Sequence, residues 1–201
     1  RTPEHHLENG TFVNTNGTAN NKKLKELWKW MTGKKESKAI PIEFEMVDPD
    51  LKLINQDKSF SITWIGHASF LYQNKELNIL TDPHLTNRAS PINFAGPQRY
   101  TKPAMKFEEL PRIDFVTISH NHYDHLDLRT VKWIAKNNPD AMFLVPLGLK
   151  KWFLDKSINN VIELDWWESH IINDTKITFT PVQHWSSRTL FDRNQTLWGG
   201  W

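Results

Sequence analysis

The chain contains no cysteine. That excludes a disulfide framework, thiolate metal ligands and a thiol nucleophile, and it leaves the redox compartment open. No apolar run approaches the ~18 residues that a membrane-spanning helix needs. Charge of one sign is also scarce. The net charge of +2 at pH 7 is too small to indicate a nucleic-acid partner, so none is expected. What is present suits a folded domain, or a large part of one, in 201 residues. Hydrophobic residues make up 38% of the chain, ten of them Trp, which is enough for a core. A mean hydropathy of −0.59 leaves much of the remainder polar.

Two regions differ in texture. Residues 1–58 read as an N-terminal arm with one amphipathic helix, and residues 59–201 as the main domain. The first part of the arm is rich in Asn, Thr and Gly and reads as extended or loosely held. Its His5-His6 pair reads as solvated rather than as a metal tract. Residues 22–31 place Leu24, Leu27, Trp28 and Met31 on one helical face with Lys on the other. Such a helix docks on a domain or lies on an anionic membrane surface. From residue 60 onward, apolar alternation marks strands at 60–65, 68–72 and 77–80. A Pro-rich segment follows over 85–110, and a loop of that length is usually functional. Further strands are expected at 114–118, 142–145, 160–164 and 176–180, with helices at 128–137, capped by Asp127, and at 147–156. Strands alternating with helices after residue 113 give an α/β layered fold.

The densest chemistry lies directly after the apolar run ending at Ile118, in Ser119-His120-Asn121-His122-Tyr123-Asp124-His125. Imidazoles and carboxylates crowded behind a buried strand are costly unless something satisfies them, and a metal ion does so. On extended backbone His120 and His122 point the same way and can chelate one ion. The turn then carries Asp124 and His125 towards a neighbouring ion. Imidazole and carboxylate suit Zn²⁺, with Fe, Mn, Co or Ni as alternatives. The competing reading is a set of surface histidines beside a helix cap.

The stretch resembles the signature of the metallo-β-lactamase superfamily. Trp64-Ile65-Gly66-His67-Ala68, Leu80-Thr81-Asp82-Pro83, Val161-Ile162-Glu163-Leu164-Asp165-Trp166-Trp167-Glu168 and Gln183-His184-Trp185 extend the likeness to one branch. That branch is the N-acyl-phosphatidylethanolamine-hydrolysing phospholipase D family. The resemblance implies an αββα sandwich of which this chain holds the N-terminal half to two-thirds. It implies two Zn²⁺ in the complete enzyme. His120, His122 and His184 match ligands of one ion, and Asp124 and His125 match ligands of the other. Asp124 is also the catalytic candidate, as the group that orients water. Asp82 ends a strand and stands behind the ligands, where a carboxylate would fix an imidazole tautomer; the alternative is a plain Asp-Pro turn. His67 reads equally as a site residue or a structural one. Tyr123, Trp185 and Arg188 are candidates for substrate contact.

The implied reaction is metal-assisted phosphodiester hydrolysis of N-acylated phosphatidylethanolamine to an N-acylethanolamine and phosphatidic acid. Trp28, Trp30, Phe94, Tyr100, Trp152 and Trp185 read as exposed aromatics fit for a lipid substrate, and peripheral membrane association follows from the same resemblance. A bridging Asp and a last His of the family pattern have no match here, because the final histidine is His184. The chain is therefore expected to be part of a split, cleaved or truncated enzyme with an exposed apolar face. A C-terminal half chain or a homodimer is the expected partner. Two other readings stay open: a metallo-hydrolase of a small soluble substrate, such as a lactonase or phosphodiesterase, and an inactive metal-binding fragment.

Overall fold

The computed structural model describes residues 3–16, 45–56, 59–92 and 94–201. The amphipathic helix expected at 22–31 lies outside the described residues. The elements in chain order are α1 (Leu51–Gln56), β1 (Ser61–Gly66), β2 (Ser69–Gln73), β3 (Asn78–Thr81), β4 (Phe115–Thr117), α2 (Leu128–Asn137), β5 (Met142–Pro146), α3 (Lys150–Leu154), β6 (Val161–Leu164), β7 (Ser169–Ile172) and β8 (Thr175–Thr178). A short 3-10 turn, Phe107–Glu109, precedes β4.

Six strands form one mixed sheet in the order β1-β2-β3-β4-β5-β6. β1, β2 and β3 pair antiparallel as a meander, and β3 to β6 pair parallel. The parallel half needs crossovers, and α2 and α3 supply two of them. Side-chain alternation then divides the sheet into two faces. Leu80, Val116, Phe143 and Val145 join Val131 and Ile134 of α2 and Phe153 of α3 in the main core. On the opposite face Ile79, Phe115 and Leu144 pack against Ile177 of the β7–β8 hairpin and against Trp201. Over β1 and β2, Ile62, Trp64 and Phe70 on that second face are exposed.

α2 begins as its sequence dictates. Asp127 is extended and accepts the Arg129 N–H, and Leu128, Val131 and Ile134 repeat at helical spacing. The second expected helix is shorter than 147–156. Gly148 lies at φ +82°, and a Cβ there would stand 2.6 Å from the Gln195 carbonyl. Residues 147–148 are taken up by backbone pairing instead: Leu147 donates to Leu164 O, and Leu197 donates to Leu147 O. β7 is a strand that the sequence pattern does not announce. Its turn is legible in hindsight, because Asn173 stands at φ 48°, a conformation that Asn tolerates, between Ile172 and Thr175.

The arm is bound rather than loose over residues 3–16. Phe12 donates to Asn194 O and packs with Leu164, Trp166, Phe179, Leu197 and Trp198. His5 and His6 are not a solvated pair. Both meet Asp165, at 2.7 and 2.8 Å. Residues 197–201 are built in as well: Gly199 donates to Ser119 O, Gly200 exchanges hydrogen bonds with Thr180, and Trp201 Nε1 donates to Ile118 O.

Candidate metal centre

The polar residues gather beyond the carboxyl ends of the parallel strands, where open α/β sheets place their ligands. β3 delivers Asp82, and β4 delivers Ser119 and the His-rich turn. The segment after β8 delivers His184. The β1–β2 connection brings His67. There a bulge at Trp64/Gly66 and the positive φ of Gly66 (135°) and His67 (51°) turn the chain sharply.

His120, His122 and His184 converge. His120 Nε2 lies 2.8 Å from His122 Nδ1 and 3.1 Å from His184 Nε2. A second trio, His67, Asp124 and His125, adjoins it: His67 Nε2 is 2.9 Å and His125 Nε2 3.6 Å from Asp124 Oδ2. The two trios meet where the His120 and His125 rings stand 4.1 Å apart. His67 thus stands among the site residues, a placement that Gly66-His67 alone could not decide.

Electrostatics sort these groups by charge. Burial, reinforced by the neighbouring His125, His122 and His184, holds His120 far below the ordinary imidazole value. Burial and then His184 lower His122 to about 4. His184 is lowered for the same kind of reason. All three are neutral at pH 7, which is the ligand form of imidazole. Burial works against charge on His125 too, but the hydrogen bond and charge of Asp82 override it and raise the group. Burial opposes ionisation of Asp124, yet His125, a backbone hydrogen bond and His67 together lower it.

The residues present fit a metal. Three neutral ring nitrogens, His120 Nε2, His122 Nδ1 and His184 Nε2, are aimed at each other and cannot all be satisfied by protons. A cation between them resolves this. His120, His122 and His184 are placed to hold one ion, and Asp124 and His125 offer ligands on the adjoining side.

Around these residues lies a shell that orients them. Asp82 accepts three hydrogen bonds: Oδ1 from Ser119 N–H at 2.6 Å, and Oδ2 from Ser119 Oγ at 2.6 Å and from His125 Nδ1 at 2.8 Å. His125 Nε2 is thereby left to face Asp124. Asn14, from the arm, clamps the backbone of His184. Its Nδ2 donates to His184 O and its Oδ1 accepts His184 N–H, both at 3.0 Å, and Oδ1 also accepts Trp198 Nε1–H. No local pattern marks Asn14 for this task. Arg188 braces the turn from outside: its Nη1 donates to Asn121 O and Leu126 O, and the guanidinium lies 4.0 Å over Tyr123. Burial pushes Arg188 down to about 10, against the pull of Tyr123, Asp127 and Asp192. It remains charged.

Beside the turn opens a cavity of about 460 Å³, walled in part by Arg88, Tyr123, Arg129, Trp152, Lys156 and Arg188. The 85–110 segment supplies one wall. Trp152 and Trp185 are half-buried, which corrects the expectation of exposed aromatics at these positions. Trp152 packs against Phe153 and under Lys156, and the Trp185 and His122 rings meet T-shaped with centroids 4.3 Å apart. Phe94 and Tyr100 are exposed.

Known proteins share this framework. The chain matches a beta-lactamase superfamily domain over residues 77–201. It is 39% identical over 194 residues to an N-acyl-phosphatidylethanolamine-hydrolyzing phospholipase D of Caenorhabditis elegans, covering 89% of this chain and 54% of that protein. A mitochondrial protein of the same description from Saccharomyces cerevisiae is 33% identical over 174 residues, covering 81% of this chain and 36% of that one. The chain thus spans about half or less of these relatives. Among solved structures, a metallo hydrolase from the archaeon Ignicoccus hospitalis superposes with a TM-score of 0.50 at 21% identity. That match covers 70% of this chain and 54% of the other, and it speaks for the fold alone. With a signature turn at the parallel-strand ends and a domain match over most of its length, the chain belongs to the metallo-β-lactamase superfamily.

Proposed function

We propose that this chain carries most of the active site of a metal-dependent phospholipase D that hydrolyses N-acylated phosphatidylethanolamine. The observation that carries the reading is the convergence of three neutral imidazoles beside a cavity bearing Arg88, Arg129, Lys156 and Arg188. The phospholipase D description of its relatives names the substrate class.

In this reading His120, His122 and His184 hold one zinc ion, and Asp124 and His125 contribute to a second. Zinc held there supplies Lewis-acid polarisation and neutralises charge that builds on the phosphoryl oxygens. The protein's own groups do the remainder. Asp124, kept ionised and hydrogen-bonded to His67, accepts a proton from water and orients it. Water oxygen bonds to phosphorus, the bond from phosphorus to the ethanolamine oxygen breaks, and that oxygen leaves with a proton. The cationic cavity wall attracts the phosphodiester. Tyr123 and Trp185 flank the turn where substrate would rest, and Arg188 keeps the turn's backbone in place. Loops that wall the cavity also expose Phe94, Leu190 and Phe191, which suits contact with a lipid surface. Among the described residues no helix is long and apolar enough to cross a membrane. A bridging carboxylate and a further histidine would come from a C-terminal half, whose apolar face the bare Ile62, Trp64 and Phe70 would receive.

The test is turnover of N-acylated phosphatidylethanolamine in vesicles, read as released N-acylethanolamine. It is run on the chain alone and on the chain joined to the C-terminal part of its nematode relative. The joined protein is expected to release product only with metal and to lose it with chelator. Hydrolysis of a soluble phosphodiester with no lipid turnover would move the reading to a soluble substrate. No turnover of either, with one ion or fewer bound, would make the chain a binding fragment.

A further inference from the structure

We infer that His5, His6 and Asp165 form a separate zinc-type site that pins the N-terminal strap onto the domain. The three residues place one ligand atom each within 4.8 Å of one another. They stand apart from the His-rich turn and are not used by the reaction proposed above. Neighbouring residues on extended backbone project to opposite sides, so His5 and His6 need a special local fold to aim together. The chain provides it: a turn closes with His6 N–H donating to Pro3 O, and Val13 N–H donates to His5 O from the returning strand. The resulting ring pair is 4.5 Å apart at 80°, nearly the 4.5 Å and 81° of His120 and His122.

Asp165 is prepared as a ligand. Its Oδ1 accepts the Trp166 N–H at 2.7 Å, and its own N–H donates to Glu168 Oε2 at 2.8 Å. Each carboxylate oxygen then faces one imidazole, Oδ1 meeting His5 Nε2 and Oδ2 meeting His6 Nε2, in a group whose orientation is fixed, as supporting hydrogen bonds commonly do around metals. The His5 ring lies against Trp166 at 4.2 Å, and His6 meets the Phe12 ring edge-on. The site is sheltered but reachable, with side-chain exposures of 11%, 25% and 14% for His5, His6 and Asp165. A cavity of about 220 Å³, lined by Glu4, Val13, Asn14 and Thr15, opens beside His5, so water can reach this side of the strap. Two imidazoles, one carboxylate and water make a tetrahedral set for Zn²⁺ or a similar borderline cation. On binding, each Nε2 gives its lone pair to the ion, and the imidazole proton resides on Nδ1. The consequence reaches the first site, because Asn14, eight residues after His6, holds the backbone of His184.

The experiment measures zinc per chain after equilibrium dialysis against zinc. It compares the unsubstituted protein with His5→Gln/His6→Gln and with His120→Ala/His184→Ala. Glutamine keeps an N–H donor for Asp165 while removing the imidazole ligand. The first variant is expected to lose one equivalent of zinc, and the second to retain the strap ion. A folded His5→Gln/His6→Gln protein with unchanged zinc overturns the inference. If that variant does not fold, carbethoxylation of the unsubstituted protein decides. Zinc is expected to slow labelling of His5 and His6, read by peptide mass spectrometry; labelling indifferent to zinc would mean that Asp165 is only a hydrogen-bond partner.

Discussion

Replacing Asp82 with alanine is expected to unfold the metal end of the domain more than any other single substitution there. The carboxylate is 7% exposed and takes hydrogen bonds from Ser119 N–H, Ser119 Oγ and His125 Nδ1. Its removal strands a buried donor at the start of the His-rich turn and deprives His125 of the group that favours its charge. Breaking a buried ionic network from one side costs about 3–5 kcal/mol. Asp82 also stands at φ 38°, so the carboxylate is held by a backbone conformation that alanine tolerates poorly. Thermal unfolding of Asp82→Ala and Asp82→Asn checks this. Asparagine restores part of the stability, because its carbonyl oxygen can still accept the Ser119 N–H. A melting temperature unchanged in Asp82→Ala would show that the network carries little.

Asn14→Ala is expected to reach the site from a distance. Asn14 is buried, and its amide satisfies both backbone polar groups of His184 together with the Trp198 indole N–H. Alanine leaves the His184 N–H and C=O without this partner, at about 1–3 kcal/mol for each that water cannot reach, whereas Trp198 Nε1–H keeps Val182 O at 3.1 Å. It also releases the residue that closes the imidazole trio. Loss of an orienting partner behind a metal ligand weakens metal binding by about 10–100-fold. Competition with a chelator of known affinity gives the number directly. Asn14→Asp separates fixing from mere packing. Its carboxylate still accepts from His184 N–H and Trp198 Nε1 but cannot donate to His184 O, so an intermediate affinity is expected.

The sequence carries what is local and leaves out what is distant. The turn at 119–125 and the Asp127 cap of α2 are legible because each is written in consecutive residues at fixed spacing. The order of strands and helices is legible because apolar periodicity changes from strand to helix and back. β7 escapes that logic: its burial is partial along its length, so Ser169-His170-Ile171-Ile172 shows no alternation to read. The start of the second expected helix fails for a different reason. Its apolar spacing is helical, but Gly148 and the pairing of Leu147 with Leu164 and Leu197 claim its first residues. The contacts that complete the site are the least legible. Asn14 and His184 are separated by 170 positions, His5 and Asp165 by 160, and His67 and Asp124 by 57. Nothing in the composition of the arm distinguishes an anchoring asparagine from a solvated one. Trp152 and Trp185 illustrate the same limit, since only the fold reveals that Lys156 and the His122 ring cover them.

The fold gathers His120, His122 and His184 into a set that fits a metal ion. Binding there is read most directly from the bound-metal content of the protein and of His120→Ala/His184→Ala after equilibrium dialysis in zinc, with circular dichroism to confirm that both are folded. The variant is predicted to bind at least one equivalent fewer per chain. Equal metal content in two folded proteins would contradict the account and leave the imidazole cluster a hydrogen-bonded element of the core.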